Sequence, residues 1–215
     1  MEKLKLLDLY CCGGGAGYGY ELAGFDVTGV DIETQPNHRG KFILDDAIQY
    51  LKNHYQEYDI IHASPPCQKY SKSSMQFRLI GKEYPDLIEI TRNELIKTGK
   101  PYIIENVPGS PLIDPVILCG SMFGMRTYRH RHFESNMPLS APIHLKHIVA
   151  NAKMGRKAKA NENIQYVGHF SGLKEVRDMT GLYWLNQYEL AQSVPPQYTE
   201  YIGKKVMWYL LKPAV

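Results

Sequence analysis

Short apolar runs alternate with amphipathic stretches along the first half of the chain. Four of these runs are short enough for buried strands and end at glycine, proline or polar residues; they lie at 4–10, 25–30, 58–63 and 102–105. Helices are predicted between them, at 16–23, after Asp46 through Leu51, and at 87–96. Strands and helices that alternate in this way form a parallel sheet with helices on both faces, so the pattern predicts an α/β fold.

The pattern weakens after Phe133. Residues 136–186 are rich in Lys, Asn, Gly and His and show little periodicity, although 164–170 has the composition of a strand. Regularity returns where two consecutive prolines can open a last helix with an apolar face made of Tyr198, Ile202, Val206 and Tyr209. We therefore predict that residues 136–186 form a small lobe or an ordered binding loop beside the main domain.

Positive charge is concentrated in one part of the chain. The formal net charge is only +3, but residues 126–177 hold ten Lys or Arg against three Asp or Glu. A basic segment of this kind suits a polyanion such as a nucleic acid, because neutralised phosphates supply most non-specific affinity. The alternative is a solvated lysine-rich loop, and charge alone does not decide between the two.

Cysteine usage and hydropathy bear on the compartment. The four cysteines, at 11, 12, 67 and 119, form no Cys-x-x-Cys pair and have no histidine at zinc-finger spacing. We therefore expect no metal site, and we expect the protein to act in the reducing environment of the cytoplasm. Asp8 interrupts the first apolar run, which argues against a signal peptide. No segment approaches the ~20 apolar residues of a membrane span, so we expect a soluble protein without membrane contact.

A glycine turn joins the first strand to the first helix. Gly13-Gly14-Gly15 would let a cofactor approach the backbone near a helix N-terminus, and Asp31 ends the next strand about 20 residues on, where a carboxylate can bind ribose hydroxyls. An ordinary turn is the alternative. A phosphate-binding loop is excluded because no Gly-Lys-Ser/Thr follows, and a dinucleotide dehydrogenase is disfavoured because no clean Gly-x-Gly-x-x-Gly occurs.

A cysteine and a glutamate end neighbouring strands of the predicted sheet. Cys67 lies just past a strand in Ser64-Pro65-Pro66-Cys67-Gln68, and Glu105 ends the next strand in Glu105-Asn106-Val107. Ligands of open α/β sheets bind at the carboxyl ends of strands, so both side chains can reach one pocket. Taken singly, a buried structural cysteine and a solvated glutamate are the commoner cases.

The ordered motifs resemble those of the cytosine-C5 DNA methyltransferase family. They are Asp8-Leu9-Tyr10 with the glycine turn, Pro66-Cys67-Gln68, Glu105-Asn106-Val107, Arg129-His130-Arg131, and Ser193-Val194-Pro195-Pro196 leading to Ile202-Gly203. The resemblance covers about 4–135 and 187–211 and is strongest to compact, phage-type members. It implies a Rossmann-like S-adenosylmethionine-dependent methyltransferase fold, with a catalytic, cofactor-binding domain at 1–135 and 187–215 and a small basic target-recognition region at 136–186.

The resemblance also implies a covalent mechanism. Cytosine C5 is a weak nucleophile, and addition of the Cys67 thiolate to C6 makes it reactive. Glu105 would hydrogen-bond N3, Arg131 would hold O2, and Arg129 would give structural or phosphate support. Strand alternation would place both arginines on one side. The base that removes the C5 proton is not assigned.

For S-adenosylmethionine, and its product S-adenosylhomocysteine, the family implies a larger set of contacts. They come from the turn, the second strand end, the next helix start and the last motif: Asp8, Tyr10, Cys11, Cys12, Gly13, Gly14, Gly15, Asp31, Ile32, Asp46, Ala47, Pro65, Gln192, Ser193 and Val194. Two residues depart from the family. Cys12 stands where a glycine is usual and Gln192 where an asparagine is usual, so contacts to the methionine moiety can differ.

The expected partner is DNA with a flipped cytosine, since a duplex hides C5 and C6 in the base stack. The predicted contacts are Gln68, Ser71, Lys153, Arg156, Lys157, Lys159, Gln165 and His169. The short region at 136–186 predicts a short or relaxed target sequence, and the protein is expected to act as a monomer. An RNA cytosine methyltransferase and a catalytically inactive DNA-binding relative are the alternatives.

Overall fold

The computed structural model describes residues 2–71 and 74–212, and these residues form one seven-stranded sheet. Its strands are β1 (Lys5–Leu9), β2 (Asp26–Asp31), β3 (Lys41–Leu44), β4 (Ile60–Ala63), β5 (Tyr102–Asn106), β6 (Val116–Leu118) and β7 (Arg131–Ser135). They are ordered β3-β2-β1-β4-β5-β7-β6. The first five are parallel, and β7 runs antiparallel to both of its neighbours.

Helices follow the strands and close the chain. They are α1 (Gly15–Ala23), α2 (Ala47–His54), α3 (Met75–Leu79), α4 (Ile88–Thr98), α5 (Leu173–Thr180), α6 (Gln187–Gln192) and α7 (Pro196–Leu211), with 3-10 turns at Tyr55–Glu57 and Gly120–Phe123. Asp46 caps α2 by accepting a hydrogen bond from the Gln49 N–H at 2.8 Å, as its position predicted.

Alternation along the central strands divides the core into two layers. Leu6, Ile60 and Ile103 pack on the face covered by α1 and α7. Their neighbours in sequence, among them Leu7 and Ile61, pack on the other face with α2 and α4. Because their side chains alternate between two buried faces, these strands are mostly apolar, with Asp8, His62 and Glu105 among the buried polar exceptions. The predicted α/β sheet with helices on both faces is confirmed.

The last helix packs directly against the first. A Cβ at Gly19 would lie 2.1 Å from Thr199 Oγ1, and a Cβ at Gly203 would lie 2.7 Å from Ala23 Cβ, so both glycines permit the close approach of α1 and α7. The predicted apolar face of α7 is correct at three of its four positions, but Tyr209 is 47% exposed and does not belong to it.

The region 136–186 differs from its prediction in one element. Residues 164–170 are not a strand; Ile164, Tyr166 and Phe170 are nevertheless buried, in an apolar cluster with α5 and α6. Because Leu190 in α6 belongs to the same cluster, the packing runs across the expected boundary at 186. The division into two regions stays a prediction.

Candidate functional site

Cys67 and Glu105 meet at one edge of the sheet. β4 and β5 are neighbours with Ala63 opposite Ile104, so the loop after β4 and the end of β5 emerge side by side. The Asn106 side chain fixes their separation, since its amide donates to the Pro65 carbonyl at 2.9 Å and its Oδ1 accepts the Val107 N–H at 2.9 Å. The sequence motif contains Asn106, but its positioning role was not predicted.

Arg131 completes the centre from β7. Its Nε lies 2.8 Å from Glu105 Oε1, and both side chains are largely buried. The N–H is not aligned for a hydrogen bond to this oxygen, and Oε1 has no other hydrogen-bond partner among the described residues. A buried carboxylate oxygen without a partner is costly, and a donor on a bound molecule would satisfy it.

Burial and charge oppose each other in the centre. Burial raises the pKa of the Cys67 thiol, and Arg131 offsets part of that rise while Glu105 adds to it. Burial also raises the pKa of Glu105, against the lowering effects of Arg131 and the Ser64 hydroxyl. A carboxyl with a raised pKa is more readily protonated, so Glu105 can act as a hydrogen-bond donor as well as an acceptor.

A buried hydrogen-bond chain supports Glu105 from behind. The Ser64 hydroxyl, which lowers the pKa of Glu105, lies 2.9 Å from His62 Nε2, and His62 Nδ1 lies 3.0 Å from the Tyr20 hydroxyl. Burial lowers the pKa of His62 to about 3, so the ring is neutral and needs one donor and one acceptor. If Ser64 donates to Glu105, His62 must donate from Nε2 and accept from Tyr20. His62 was not predicted; a histidine within a wholly buried strand was its only signal.

Arg129 lies outside the strand that carries Arg131, and its side chain is buried among backbone carbonyl groups. β7 begins at Arg131, so the alternation argument does not apply to Arg129. Its buried guanidinium donates to the carbonyl oxygens of Tyr166, Ala191 and Ser193 at 2.9, 2.6 and 2.9 Å. Burial lowers its pKa to about 10, and Arg131 contributes to that lowering. A guanidinium enclosed in this way is not available to a phosphate. Of the two roles predicted for Arg129, structural support is the one that its contacts fit.

The glycine turn has the form expected of a cofactor cradle. Gly14 has φ +80°, a conformation that favours glycine. The Cys12 N–H donates to Asp31 Oδ2 at 2.9 Å, which ties the turn to the end of β2. Ile32 is 69% exposed beside it and can cover an adenine face, while the free lone pairs of Asp31 can accept from ribose hydroxyls. These residues fit an adenosine-bearing cofactor.

Cys12 has a backbone conformation that favours glycine. Its φ is +46°, in the left-handed region, and its side chain is only half-buried. A Cβ at Gly15 would lie 2.9 Å from Ser193 Cβ and 3.1 Å from the Val194 carbonyl oxygen, so the turn and the last motif pack closely. Gln192 is exposed at the end of α6.

Two of the predicted cofactor residues are buried next to the glycine turn. Asp8 has no accessible surface, and Cys11 is 5% exposed. Their contact with the cofactor stays a prediction. The other predicted cofactor residues remain predictions: Tyr10 is half-buried with its hydroxyl 2.9 Å from Thr91 Oγ1, Asp46 is exposed, and Ala47 and Pro65 are buried beside the cradle.

Asp8 is expected to make stability depend on pH. Burial raises its pKa to about 8, and the nearby Gly17 N–H offsets only part of that rise. The pKa of Asp8 in the folded protein lies above its ordinary value of 3.8, so folding favours the protonated carboxyl. The stability that this carboxyl contributes is complete below about pH 4 and is lost as the pH rises through 8, by at most about 1.4 kcal/mol per pH unit. Thermal unfolding of Asp8→Asn and wild type should therefore diverge between pH 5 and 8, with the variant gaining relative stability. Parallel curves would contradict the buried acid.

The predicted DNA-contacting side chains lie mostly at the surface, and two are paired within the chain. Arg156 binds Glu162 at 2.7 and 2.6 Å, and Lys157 lies 3.0 Å from Glu175. The others are exposed or half-buried; they are Gln68, Ser71, Lys153, Lys159, Gln165 and His169. Their role in DNA binding stays a prediction. Among the described residues, no helix is both long enough and apolar enough to span a membrane.

Comparisons with known proteins place the fold. No protein-family model and no curated protein matches the chain. Solved structures do match it, and those described next are aligned over 98% of its length. One, described as a DNA modification methyltransferase encoded within an Escherichia coli prophage, is 16% identical, is covered completely and has a TM-score of 0.67. The Schizosaccharomyces pombe Dnmt2 methyltransferase is 16% identical, with a TM-score of 0.63 and complete coverage. The Entamoeba histolytica methyltransferase EhMeth is 15% identical, with a TM-score of 0.57 and 98% of its chain covered.

The chain therefore has the Rossmann-like fold of S-adenosylmethionine-dependent methyltransferases. The resemblance to DNA methyltransferases that the sequence motifs predicted is confirmed at the level of the fold.

Proposed function

We propose that this protein transfers a methyl group from S-adenosylmethionine to C5 of a cytosine in DNA. The observation that carries the proposal is the convergence of Cys67, Glu105 and Arg131 at one sheet edge beside the glycine turn. A thiol, a carboxyl and a guanidinium are the three groups that this reaction needs around a pyrimidine.

The proposed reaction proceeds through a covalent bond between Cys67 and cytosine C6. The Cys67 thiolate adds to C6, and the electron pair of the C5–C6 double bond becomes available at C5. C5 takes the methyl group that bound S-adenosylmethionine would supply from its sulfonium, and the electron pair of the broken S–CH3 bond stays with sulfur, so S-adenosylhomocysteine leaves. A base, most simply water, then takes the C5 proton; the electron pair of that bond restores the C5–C6 double bond and expels Cys67 as thiolate. Arg131 stabilises the thiolate before addition, because it is the residue that most lowers the Cys67 pKa.

Glu105 would activate the base toward addition. Oε1, which accepts no hydrogen bond among the described residues, can accept one from the base or, when the carboxyl is protonated, donate one to N3, which withdraws electrons from C6. Burial raises the pKa of Glu105, which favours the protonated form relative to an exposed glutamate.

The proposed partner is DNA, with the target cytosine flipped out of the stack. The exposed basic side chains of the 136–186 region would bind phosphates, and its limited length favours a short or relaxed target sequence. We further infer a monomer that acts in the cytoplasm, with a role in DNA modification; one of the similar structures is encoded within a prophage.

The substrate is tested by methyl incorporation. Purified protein is incubated with radiolabelled S-adenosylmethionine and, in parallel, duplex DNA, single-stranded DNA and tRNA. Incorporation into DNA is the expected result, with the label recovered as 5-methylcytosine. Label in tRNA alone would replace DNA by RNA as the substrate, and cofactor binding without transfer to any of the three would favour an inactive DNA-binding relative. Calorimetric titration with S-adenosylmethionine and with NAD identifies the cofactor independently.

Asn106→Ala is expected to lower kcat by about 100-fold with little change in the Kd for S-adenosylmethionine, because misplacement of a catalytic group by about 1 Å has that cost. Among the described residues, the Asn106 side chain hydrogen-bonds to the Pro65 carbonyl and the Val107 N–H and to no atom of Cys67 or the glycine turn. Asn136→Ala is the matched control, since Asn136 fixes the far end of the same strand through the Tyr102 N–H at 2.8 Å. Equal losses in the two variants would mean that Asn106 acts through stability alone.

A further inference from the structure

One cysteine and three histidines converge outside the proposed catalytic centre. Cys119 follows β6, His130 precedes β7, and His144 and His147 lie in the segment 136–150, which has no helix or strand. One ligand atom from each residue lies within 4.8 Å of all the others. The sequence spacing gave no sign of such a cluster, because the four residues come from separate parts of the sheet edge and the following segment.

The distances within the cluster are those of a small coordination sphere. His147 Nε2 lies 3.4 Å from Cys119 Sγ and 2.9 Å from His144 Nε2. In a tetrahedral zinc site with Zn–S of about 2.3 Å and Zn–N of about 2.0–2.1 Å, sulfur and nitrogen ligands are ~3.6 Å apart and two nitrogens ~3.3 Å apart. In these two pairs, the ligand atoms would need to move by only a few tenths of an ångström to surround an ion.

Apolar packing does not explain the position of the two histidines of this segment. Ile143, Leu145 and Ile148, which lie between and beside them, are 85%, 73% and 86% exposed. These three apolar side chains face solvent, while the imidazoles of His144 and His147 lie against each other and His147 lies beside Cys119.

The surroundings of the cluster orient its ligands. The Tyr128 ring stacks on His147, with ring centroids 3.6 Å apart and planes 10° apart. The Tyr128 hydroxyl accepts the Val149 N–H at 2.9 Å, so the same residue positions the backbone just after His147. Outer contacts that fix ring orientation are typical of metal-binding histidines.

We propose that Cys119, His130, His144 and His147 bind one Zn²⁺ ion. Thiolate and imidazole are ligands that zinc prefers, and four protein ligands leave no open position, so the site is structural. The ion holds the segment 136–150 against β6 and β7. His130 lies between Arg129 and Arg131, so the same ion also fixes the start of the strand that carries Arg131. The inference replaces the expectation from cysteine spacing that no metal is bound, and it does not depend on the proposed methyl transfer.

Metal content tests the proposal directly. Protein without a histidine tag is purified, dialysed against excess Zn²⁺ and then against metal-free buffer, and measured by plasma mass spectrometry. We expect one zinc per chain in wild type, at least a tenfold weaker affinity in Cys119→Ser and in His144→Ala, and no change in His132→Ala. His132 lies two residues from His130 and is not a member of the cluster. His144 is exposed, so its variant should fold even if Cys119→Ser does not.

Two further measurements identify the ligands and the structural role. Cobalt substitution should give the intense visible bands of a tetrahedral site and a thiolate charge-transfer band that Cys119→Ser abolishes. Chelation should accelerate tryptic cleavage at Lys146, which lies between the two histidines of the segment, in wild type and in His132→Ala alike. A wild-type protein that binds no zinc under these conditions, or zinc retained in both Cys119→Ser and His144→Ala, would overturn the proposal.

Discussion

Cys67→Ala is expected to lower methyl transfer by ~10⁴-fold or more while leaving the Kd for S-adenosylmethionine unchanged. Without the thiolate no covalent bond to C6 can form, and binding of the substrate cannot substitute for that bond. Removal of the nucleophile therefore eliminates the reaction path and does not merely slow one step. Cofactor binding should persist because the cradle is built by the Gly14 turn, Asp31 and Ile32, none of which bonds to the Cys67 side chain in the described contacts. Single-turnover methylation and calorimetry on the same preparation measure the two quantities.

The control for this variant is the covalent adduct itself. DNA that contains 5-fluorocytosine cannot lose a proton from C5 after methyl transfer, so the Cys67–C6 bond should persist and shift the protein in a denaturing gel. The adduct should be absent in Cys67→Ala and strongly reduced in Cys67→Ser, whose hydroxyl has the same shape but is a weaker nucleophile. An adduct that survives in Cys67→Ala would assign the nucleophile to another residue and refute the mechanism.

The sequence predicts the parts of this molecule in which one strong pattern decides the structure. The buried strands β1, β4 and β5 are mostly apolar, and the convergence of Cys67 and Glu105 follows from parallel pairing of β4 with β5. By contrast, β3 has four mostly exposed residues and β6 has three residues, so both are too short for a periodic pattern to be detected. Tertiary contacts alone decide these elements.

The features that sequence patterns missed depend on long-range contacts of single side chains. Structural support was one of the roles predicted for Arg129, but its partners, the carbonyl groups of Tyr166, Ala191 and Ser193, are brought together only by the fold. Ile164, Tyr166 and Phe170 have the spacing of a strand but are buried against α5 and α6 without a partner strand in the described residues. The histidine cluster likewise unites residues that no local motif connects.

A buried ion pair joins α4 to β7 behind the proposed catalytic centre. Arg92 donates from Nε and Nη2 to the two carboxylate oxygens of Glu134, each at 2.7 Å, in a bidentate arrangement. Arg92 also donates to the Pro111 carbonyl at 2.8 Å, and Glu134 accepts the Ile113 N–H at 2.8 Å. Both side chains are at most 11% exposed, so the pair is almost free of solvent screening.

Glu134→Gln is expected to lower the free energy of unfolding by about 3–5 kcal/mol, because it leaves the Arg92 guanidinium buried without a counter-charge. Urea unfolding measures the loss, and Glu200→Gln is the matched control. Its partner Lys204 is 64% exposed, so that substitution should cost less than about 1 kcal/mol. The double variant Arg92→Met/Glu134→Leu removes both charges and should recover part of the loss, although the Pro111 carbonyl and the Ile113 N–H then lack partners. If the double variant is less stable than Glu134→Gln, the loss arises from packing and backbone hydrogen bonds instead of the unpaired charge.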